Sequence, residues 1–207
     1  GYFYFDYLLQ KINPNIVQKN LILFAPSWSY DKKNFFENHS LQLIQKLLDE
    51  NYSVIFRPHS EHYKRSKVVI KEIINRFGKV NNFFFDTSSS NISSMEKSEI
   101  LITDTSGIMF EFTLLLNRPC LCFNEIKKIH NPDYKALDIE SLEEIFIKNF
   151  AKPLKTSEIG SIKNHCITAL KNSRDIQSEV KNFREKYISN IKRSVEVAVD
   201  YLENLKK

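Results

Sequence analysis

One stretch of the sequence, residues 94–112, constrains the fold most. The apolar residues 100–103 predict a buried strand, residues 104–107 form a polar turn, and Ile108 begins an apolar segment that predicts a helix. A strand followed by a short hydroxyl-rich turn and a helix directs backbone N–H groups and the helix dipole toward an anion. We therefore interpret this stretch as a candidate seat for the phosphates of a nucleotide, at the carboxyl end of a parallel strand.

The residues of the turn and the first helical turn fit that interpretation. Asp104 begins the turn, Thr105 and Ser106 supply hydroxyl donors, and Gly107 lets a ligand approach the backbone closely. Glu111 lies one helical turn further on, where its carboxylate could accept hydrogen bonds from ribose hydroxyls. The same local sequence also fits a plain helix N-terminus, because Asp, Ser and Thr are ordinary N-cap residues.

Composition and charge narrow the class of protein. A chain of 207 residues with 42% hydrophobic residues can bury the core of one large domain or two small ones. No segment reaches the roughly 18 continuous apolar residues of a membrane span. The net charge of +5 suits anionic ligands or an anionic membrane face. Cys120 and Cys122 alternate along one apolar run and lack metal-site spacing, so we expect them in the core of a protein from a reducing, cytosolic compartment.

From residue 21 onward, apolar strands alternate with helices. Predicted strands cover residues 21–25, 52–56, 82–85, 100–103 and 120–123, and predicted helices include residues 64–77, 92–97, 108–116 and one that is capped by Asn38 or Ser40. Strands that are continuously apolar and alternate with helices form parallel sheets covered on both faces. The sequence therefore predicts an α/β fold, a Rossmann-like doubly wound parallel sheet with helices on both faces.

The rest of the chain is less regular. Residues 125–138 are expected to be a loop containing Pro132, followed by a helix over 141–150 that Ser141 caps, a helix from Thr156 or Ser157 toward Leu170, and a helix over 176–205. We divide the chain into an inter-domain linker segment (1–20), a Rossmann-like nucleotide-donor-binding domain (21–175) and a C-terminal helix (176–207). The dense aromatic cluster in residues 2–9 predicts a packing partner, which we take to be a missing N-terminal domain.

In doubly wound sheets, ligands bind outside the carboxyl ends of the strands. The residues that follow the five predicted strands, in order, are Ser27 with Trp28, Arg57 with His59, Asp86 with the hydroxyl run to Ser90, residues 104–107, and Asn124. Most of these side chains can donate to phosphate or can titrate. We therefore predict that they converge on one edge of the sheet.

Two of these side chains have predicted chemical roles. Arg57 can neutralise a diphosphate by forked hydrogen bonds. His59 titrates near neutral pH and can act as an acid or base or donate to a leaving phosphate, although a hydrogen-bonded structural histidine is the alternative. We expect the other histidines to be exposed or structural: His39, His62, His130 and His165. No metal is expected at Asp104, because Arg57, the helix N-terminus and the hydroxyls can meet the charge of the diphosphate.

Four blocks of the sequence resemble one family. They are residues 1–8, the Ile-Leu-Phe-Ala-Pro-Ser-Trp block at 22–28, the Arg-Pro-His block at 57–59, and residues 98–112. In this order they resemble the CDP-glycerol glycerophosphotransferases, bacterial enzymes that prime and polymerise the glycerol phosphate of teichoic acids. The resemblance covers residues 1 to about 124 well and the remainder only loosely.

The resemblance implies a GT-B type enzyme with two Rossmann-like domains, of which this chain would be the C-terminal, donor-binding half. It implies that His59 assists the departure of CMP, and that Thr105, Ser106 and the backbone of Gly107 hold the phosphates. By itself the chain is expected to bind nucleotide but to turn over poorly. It also implies a lipid-linked or polymeric glycan acceptor, the CDP-activated donor as substrate rather than a tightly bound cofactor, and no nucleic-acid partner.

The chain departs from the family pattern at the turn, where Thr105, Ser106 and Gly107 replace Tyr-Ser-Ser, and at Ser29 and Ser60, which replace Arg and Pro. Transfer of a sugar or another polyol phosphate therefore fits as well as transfer of glycerol phosphate. The alternative function is a UDP-sugar-dependent GT-B glycosyltransferase or epimerase in capsule or surface-polysaccharide synthesis. A regulatory receiver-like module is disfavoured because the first strand is followed by no acidic pair. We expect a cytoplasmic protein that contacts the anionic inner face of the cell membrane peripherally.

Overall fold

The computed structural model describes residues 2–29, 34–125, 131, 133–173 and 176–205. In this described part the strands form a single six-stranded sheet in the order β3-β2-β1-β4-β5-β6, and every neighbouring pair is parallel. The strands are β1 (Leu21–Phe24), β2 (Ser53–Phe56), β3 (Phe83–Phe85), β4 (Ile100–Asp104), β5 (Cys120–Phe123) and β6 (Ala151–Leu154). This confirms the predicted Rossmann-like, doubly wound fold.

Helices cover both faces of the sheet. They are α1 (Phe3–Lys11), α2 (Phe35–Asp49), α3 (His62–Arg65), α4 (Lys67–Phe77), α5 (Ile92–Lys97), α6 (Ile108–Leu116), α7 (Leu142–Phe150), α8 (Ile162–Asn172), α9 (Ile176–Tyr187) and α10 (Ser194–Asn204). One apolar core packs α2, α4 and α8 on one face, and a second packs α1, α6, α7 and α9 on the other. Every residue of β1, β4 and β5 is buried, as expected for strands covered on both sides. Cys120 and Cys122 lie in the second core, as predicted.

The strand order reverses between β1 and β4. The chain passes from β1 to β2 on one side, and from β4 to β5 on the other, while β1 and β4 themselves pair in register from Ile22 and Ile100. The loops that leave the carboxyl ends of these two strands therefore diverge and open a crevice between them. This crevice is where residues 104–107, at the start of α6, lie.

Three elements match their predicted bounds, and several predicted helices start elsewhere or are interrupted, including the one predicted from Thr156 or Ser157, which is a 3-10 helix (Thr156–Ser161) before α8. The matches are α5, α6 and β5. Helix α2 begins at Phe35 and is capped by Asn34, whose side chain accepts from the Glu37 N–H at 2.9 Å, rather than by Asn38 or Ser40. The predicted helix over 64–77 is two helices separated at Ser66. The first two residues of α2, Phe35 and Phe36, are buried in the core, and their packing stabilises a helix that starts earlier than predicted.

The prediction of one continuous helix over 176–205 is wrong, because two helices, α9 and α10, occupy that range. Between them Asn190 and Lys192 have φ values of 58° and 68°, which end the first helix. Asp6 in α1 then accepts hydrogen bonds from the N–H groups of Lys192 at 2.6 Å and Ser194 at 2.9 Å. The carboxylate thus caps the start of α10 from a distant part of the chain.

Strand β6 was not predicted. It pairs with β5 although it contains Lys152 and Pro153, and these two residues are exposed. Proline cannot donate to a sheet, so a strand that contains it occurs at an edge, and its apolar pattern is weak. Within the predicted loop over 125–138, the described residues include a short 3-10 helix, Tyr134–Leu137. Pro132 and His130 lie outside the described residues.

Arg118 joins three connections at the amino end of the sheet. Its Nη1 donates to the carbonyl oxygens of Met95 at 3.1 Å, Glu96 at 2.6 Å and Ser98 at 2.7 Å. Its Nη2 donates to the carbonyl oxygen of Pro14 at 2.6 Å. The side chain is buried, and without it these oxygens would lose a charged donor, although that of Met95 also accepts from the Ser98 N–H at 3.3 Å. None of the described helices is both long and apolar enough to cross a lipid bilayer.

Arg118→Ala should lower the free energy of unfolding by about 3 kcal/mol, because it leaves several buried carbonyl groups without a donor. Arg118→Lys should restore only part of this loss, since an ammonium group cannot reach all four oxygens with the same geometry. The measurement is urea unfolding followed by circular dichroism. Arg76→Ala is the matched control, because Arg76 bonds Gln45 on the surface. Equal unfolding midpoints for Arg118→Ala and the control would contradict the prediction.

Candidate functional site

A buried hydrogen-bonded pair brings together the loops that follow β1 and β4. The backbone N–H of Ser27 donates to Oδ1 of Asp104 at 2.5 Å, and its hydroxyl donates to Oδ2 at 2.9 Å. Both residues are buried. The pair fixes the loop after β1 against the turn after β4, so these two predicted site residues support the turn on which a ligand would rest.

The turn itself is open to a ligand. Thr105 and Ser106 are half-buried and Gly107 is exposed, directly before α6 begins at Ile108. The N–H groups of Met109 and Phe110 donate to the carbonyl oxygens of Ser106 and Gly107 at 3.2 and 3.1 Å, so a ligand at this edge would meet the N–H groups that precede them. Gly107 has an ordinary φ of −58°, and a Cβ added there would meet no atom within 4 Å. The glycine is thus not required by packing, and it leaves the backbone of the turn uncovered.

His59 lies on the same edge of the sheet, just after β2. It is exposed, and its Nδ1 accepts from the backbone N–H of Glu61 at 3.2 Å, so the neutral ring carries its proton on Nε2. The imidazole and the Trp28 ring have centroids 6.2 Å apart. Arg65 covers Trp28, with its guanidinium 5.4 Å from the ring centre. Trp28 follows Ser27, so these contacts connect His59 to the loop that Asp104 holds.

Arg57 and Asp86, which the sequence predicts as separate ligand contacts, form an ion pair. Arg57 Nη1 donates to Asp86 Oδ2 at 2.7 Å and to the Ser88 hydroxyl at 3.2 Å. Ser94 also donates to the Asp86 carboxylate. Burial works against ionisation of Asp86, but the hydrogen bonds from Ser88, Ser94 and Arg57 together lower its pKa below the ordinary value of 3.8. The two charges of the pair therefore largely cancel. A phosphate would contact the solvent-exposed part of the Arg57 guanidinium.

Glu111 is held by two residues that the sequence did not single out. The carboxylate is 9% exposed and accepts from the Tyr2 hydroxyl at 3.1 Å and from Asn91 Nδ2 at 2.8 Å. Burial raises the pKa of Glu111, while Asn91 and Tyr2 oppose that shift. Asn91 belongs to the polar run after β3, which was a usable signal, but Tyr2 is 109 residues away from Glu111 and only the fold brings them together.

The other described histidines have structural or surface surroundings, in line with the prediction. His62 is buried and stacks on Phe36 with centroids 3.8 Å apart. His39 lies beside Phe35 at 5.7 Å, and His165 Nε2 is 3.1 Å from the Ser161 hydroxyl. Across the described ranges there is no cluster of three His, Cys, Asp or Glu side chains that could hold a metal ion.

These contacts bring Ser27, Asp104 and residues 105–107 together directly, and they connect His59 through Trp28 and Glu111 through α6. Arg57 and Asp86 lie at the ends of the next two strands along the same edge. The edge combines hydroxyl and N–H donors, one guanidinium and one imidazole. This set can bind an anion with two phosphates and can supply a proton or hydrogen bond beside it.

A model of the CDP-glycerol:poly(glycerophosphate) glycerophosphotransferase family matches residues 8–189. The chain belongs to this family. No curated protein matches the chain. Membership agrees with the resemblance that residues 57–59 and 98–112 carry.

Solved structures share the fold at low sequence identity. A histidine variant of the wall teichoic acid polymerase TagF, soaked with CDPG for 30 minutes, is 22% identical with a TM-score of 0.51 over 98% of this chain and 46% of that chain. A UDP-N-acetylglucosamine 2-epimerase from Methanocaldococcus jannaschii, in complex with UDP-GlcNAc and UDP, is 13% identical with a TM-score of 0.53 over 80% of this chain and 46% of that one. The present chain therefore spans about half the length of each of these proteins.

Asp86 should make the stability of the protein depend on pH in a defined direction. Its pKa is lowered in the folded state, so its contribution is present above the ordinary value of 3.8 and is lost as the pH falls through the lower folded value. At neutral pH, Asp86→Asn should unfold about 1–2 kcal/mol more easily than wild type.

The difference between wild type and Asp86→Asn should shrink on acidification below about pH 4. Urea unfolding at a series of pH values measures it. Asp49→Asn serves as the matched control, because Asp49 is exposed and its carboxylate bonds only a neighbouring surface glutamine. A difference that stays constant through the acid range would show that ionisation of Asp86 does not matter.

Proposed function

We propose that this chain binds the nucleotide of a CDP-activated donor and that the enzyme transfers a polyol-phosphate unit, glycerol phosphate or a close relative, to a lipid-linked or growing surface-glycan acceptor. The chain would supply the donor-binding half of a GT-B transferase. Membership of the glycerophosphotransferase family supports the class of reaction. The structure of TagF soaked with CDPG, which shares this fold, supports a cytidine nucleotide as the first donor to test.

The observation on which the proposal rests is the position of the turn over residues 104–107. It lies where the strand order reverses, it is held by Ser27 through Asp104, and it opens directly into the N-terminus of α6. A diphosphate in this crevice would accept hydrogen bonds from the Thr105 and Ser106 hydroxyls and from the backbone N–H groups where the turn enters α6. The Arg57 guanidinium, which follows the end of β2, would donate hydrogen bonds to the same diphosphate.

In the transfer step, an acceptor hydroxyl oxygen forms a bond to the phosphorus that carries the polyol. The bond from that phosphorus to the bridging oxygen breaks, CMP leaves with that oxygen, and the proton of the acceptor hydroxyl passes to solvent water. His59 would donate from Nε2 to the phosphate of the departing CMP, because the Glu61 N–H occupies Nδ1. The hydroxyl groups of Thr105 and Ser106 and the N–H groups of the turn would stabilise the negative charge that develops on the leaving group.

The acceptor and the location follow from the class of reaction. A lipid-linked or polymeric acceptor would place the enzyme at the inner face of the cell membrane, and the net charge of +5 is compatible with an anionic surface. A second function, a UDP-sugar-dependent GT-B glycosyltransferase or epimerase, shares the fold of the epimerase neighbours. The choice of nucleotide separates the two functions.

Isothermal calorimetry with CDP, UDP and GDP tests the proposed donor. We expect CDP to bind most tightly, with a dissociation constant at least about tenfold lower than that of UDP or GDP, a difference of about 1.4 kcal/mol. A clear preference for UDP would favour the sugar-nucleotide enzyme. A folded protein that binds none of the three would contradict the nucleotide site altogether.

Arg57→Ala should weaken CDP binding by about 10- to 100-fold, since it removes a guanidinium and leaves Asp86 as an uncompensated negative charge near the phosphates. Arg76→Ala provides a matched control, because Arg76 lies in the last turn of α4, at the opposite edge of the sheet. Equal affinities for the two variants in the same calorimetric titration would argue against phosphate binding at Arg57.

His59→Asn should retain CDP affinity within about threefold while the rate of CMP release from CDP-glycerol falls by roughly 100-fold or more, because the hydrogen bond from Nε2 to the leaving group is lost. Chromatographic detection of CMP measures the rate, in an enzyme that carries both halves of the proposed GT-B transferase and with acceptor supplied. His165→Asn is the control, because His165 lies far from the candidate site. Its neighbour Cys166 contacts Tyr52, which lies at the amino end of β2, whereas His59 follows the carboxyl end of that strand. Unchanged CMP release by His59→Asn would exclude His59 from the reaction.

A further inference from the structure

The Glu111 carboxylate is a buried acid on the candidate edge, and both of its described donors are uncharged. It sits in the first turn of α6, one turn beyond the phosphate-seat residues. Its two oxygens have separate donors, the Tyr2 hydroxyl on Oε1 at 3.1 Å and Asn91 Nδ2 on Oε2 at 2.8 Å. A buried carboxylate needs such donors, because its desolvation is otherwise uncompensated.

Asn91 is itself oriented by Tyr4 of α1, the helix that follows Tyr2. The Tyr4 hydroxyl donates to Asn91 Oδ1 at 3.2 Å, so the carbonyl side of the amide faces Tyr4 and the NH₂ side faces Glu111. The contacts join α1, the loop after β3 and α6 in one chain of hydrogen bonds. Glu111 therefore has a fixed orientation that depends on two residues outside its own helix.

The arrangement leaves acceptor capacity on Glu111. An ionised carboxylate offers about four lone-pair sites, and Tyr2 and Asn91 use one on each oxygen. Glu111 lies four residues after Gly107, which corresponds to a rise of roughly 6 Å along a helix. That separation suits a ribose whose 5′ oxygen is attached to a phosphate at the turn.

We propose that Tyr2 and Asn91 are positioning residues for ribose recognition: they hold the Glu111 carboxylate so that it accepts the 2′- and 3′-hydroxyl groups of the bound nucleotide. This inference rests on the proposed nucleotide site and assigns α1 a part in donor selection. Burial, followed by the charge and hydrogen bond of Glu111, raises the pKa of Tyr2 to about 12, so its hydroxyl remains a donor at neutral pH. Loss of that donor would let the pKa of Glu111 rise further.

The test compares CDP with 2′,3′-dideoxy-CDP, which lacks both ribose hydroxyls, in calorimetric titrations of the full 207-residue chain. Wild type should bind CDP at least about tenfold more tightly than the dideoxy compound, because two hydrogen bonds to a charged group are lost. Tyr2→Phe and Asn91→Ala should each reduce this ratio about three- to tenfold, mainly through weaker CDP binding. The ratio is measured within one variant, so it does not depend on how much of that variant is folded.

Tyr7→Phe is the matched control, because Tyr7 is an exposed tyrosine of the same helix whose ring stacks on Tyr4. Its ratio should equal that of wild type. As the pH is lowered, Tyr2→Phe should lose its preference for CDP over the dideoxy compound at a higher pH than wild type does. The reason is that Glu111 has a higher pKa without the Tyr2 hydrogen bond and is protonated earlier. A purely structural role of Tyr2 would not move that midpoint.

Three results would overturn the inference, and they are distinguishable. If wild type discriminates CDP from the dideoxy compound and Tyr2→Phe and Asn91→Ala keep the full ratio, the positioning role is wrong while the nucleotide site stands. If wild type binds both compounds equally, Glu111 does not contact the ribose hydroxyls. If folded wild type binds neither compound, the proposed nucleotide site fails together with this inference.

Discussion

The hydrogen-bonded pair of Ser27 and Asp104 is the constraint on which the candidate site depends. Strands β1 and β4 are neighbours, yet the chain leaves them toward opposite sides of the sheet. The buried Asp104 carboxylate needs donors, and the loop after β1 supplies two of them through Ser27. The position of Trp28 follows from that requirement, and His59 lies against Trp28. A local need for charge compensation thus sets the shape of the crevice.

The acidic residues along this edge are all hydrogen-bonded within the protein, and Asp86 is also paired with a cation. Asp86 is paired with Arg57 and Glu111 accepts from uncharged donors, so neither carboxylate acts alone on an incoming phosphate. Anion binding would then depend chiefly on hydroxyl groups, on the helix N-terminus and on the open side of the Arg57 guanidinium. These internal hydrogen bonds hold the three carboxylates in place, and the Arg57 pair removes the charge of one of them.

Local patterns were sufficient for much of the fold. The bounds of α5, α6 and β5 followed from apolar runs next to polar caps, and the alternation of strands and helices predicted the parallel sheet. Elements that depend on distant partners were missed. The interruption before α10 requires Asp6, and β6 contains Pro153, which weakens the apolar pattern of a strand. The sequence placed Arg57, Asp86 and Glu111 on one edge, but their pairing partners became visible only once the chain was folded.

The two outer strands of the sheet differ from the inner ones in a way that affects association between molecules. β6 includes Pro153, which has no N–H to offer a strand arriving from another chain, together with the exposed Lys152. β3 is only three residues long, although Phe84 in it is 49% exposed. A short border on one side and a proline-containing border on the other are both poor templates for strand addition. A sheet this rich in phenylalanine is thereby guarded against edge-to-edge aggregation.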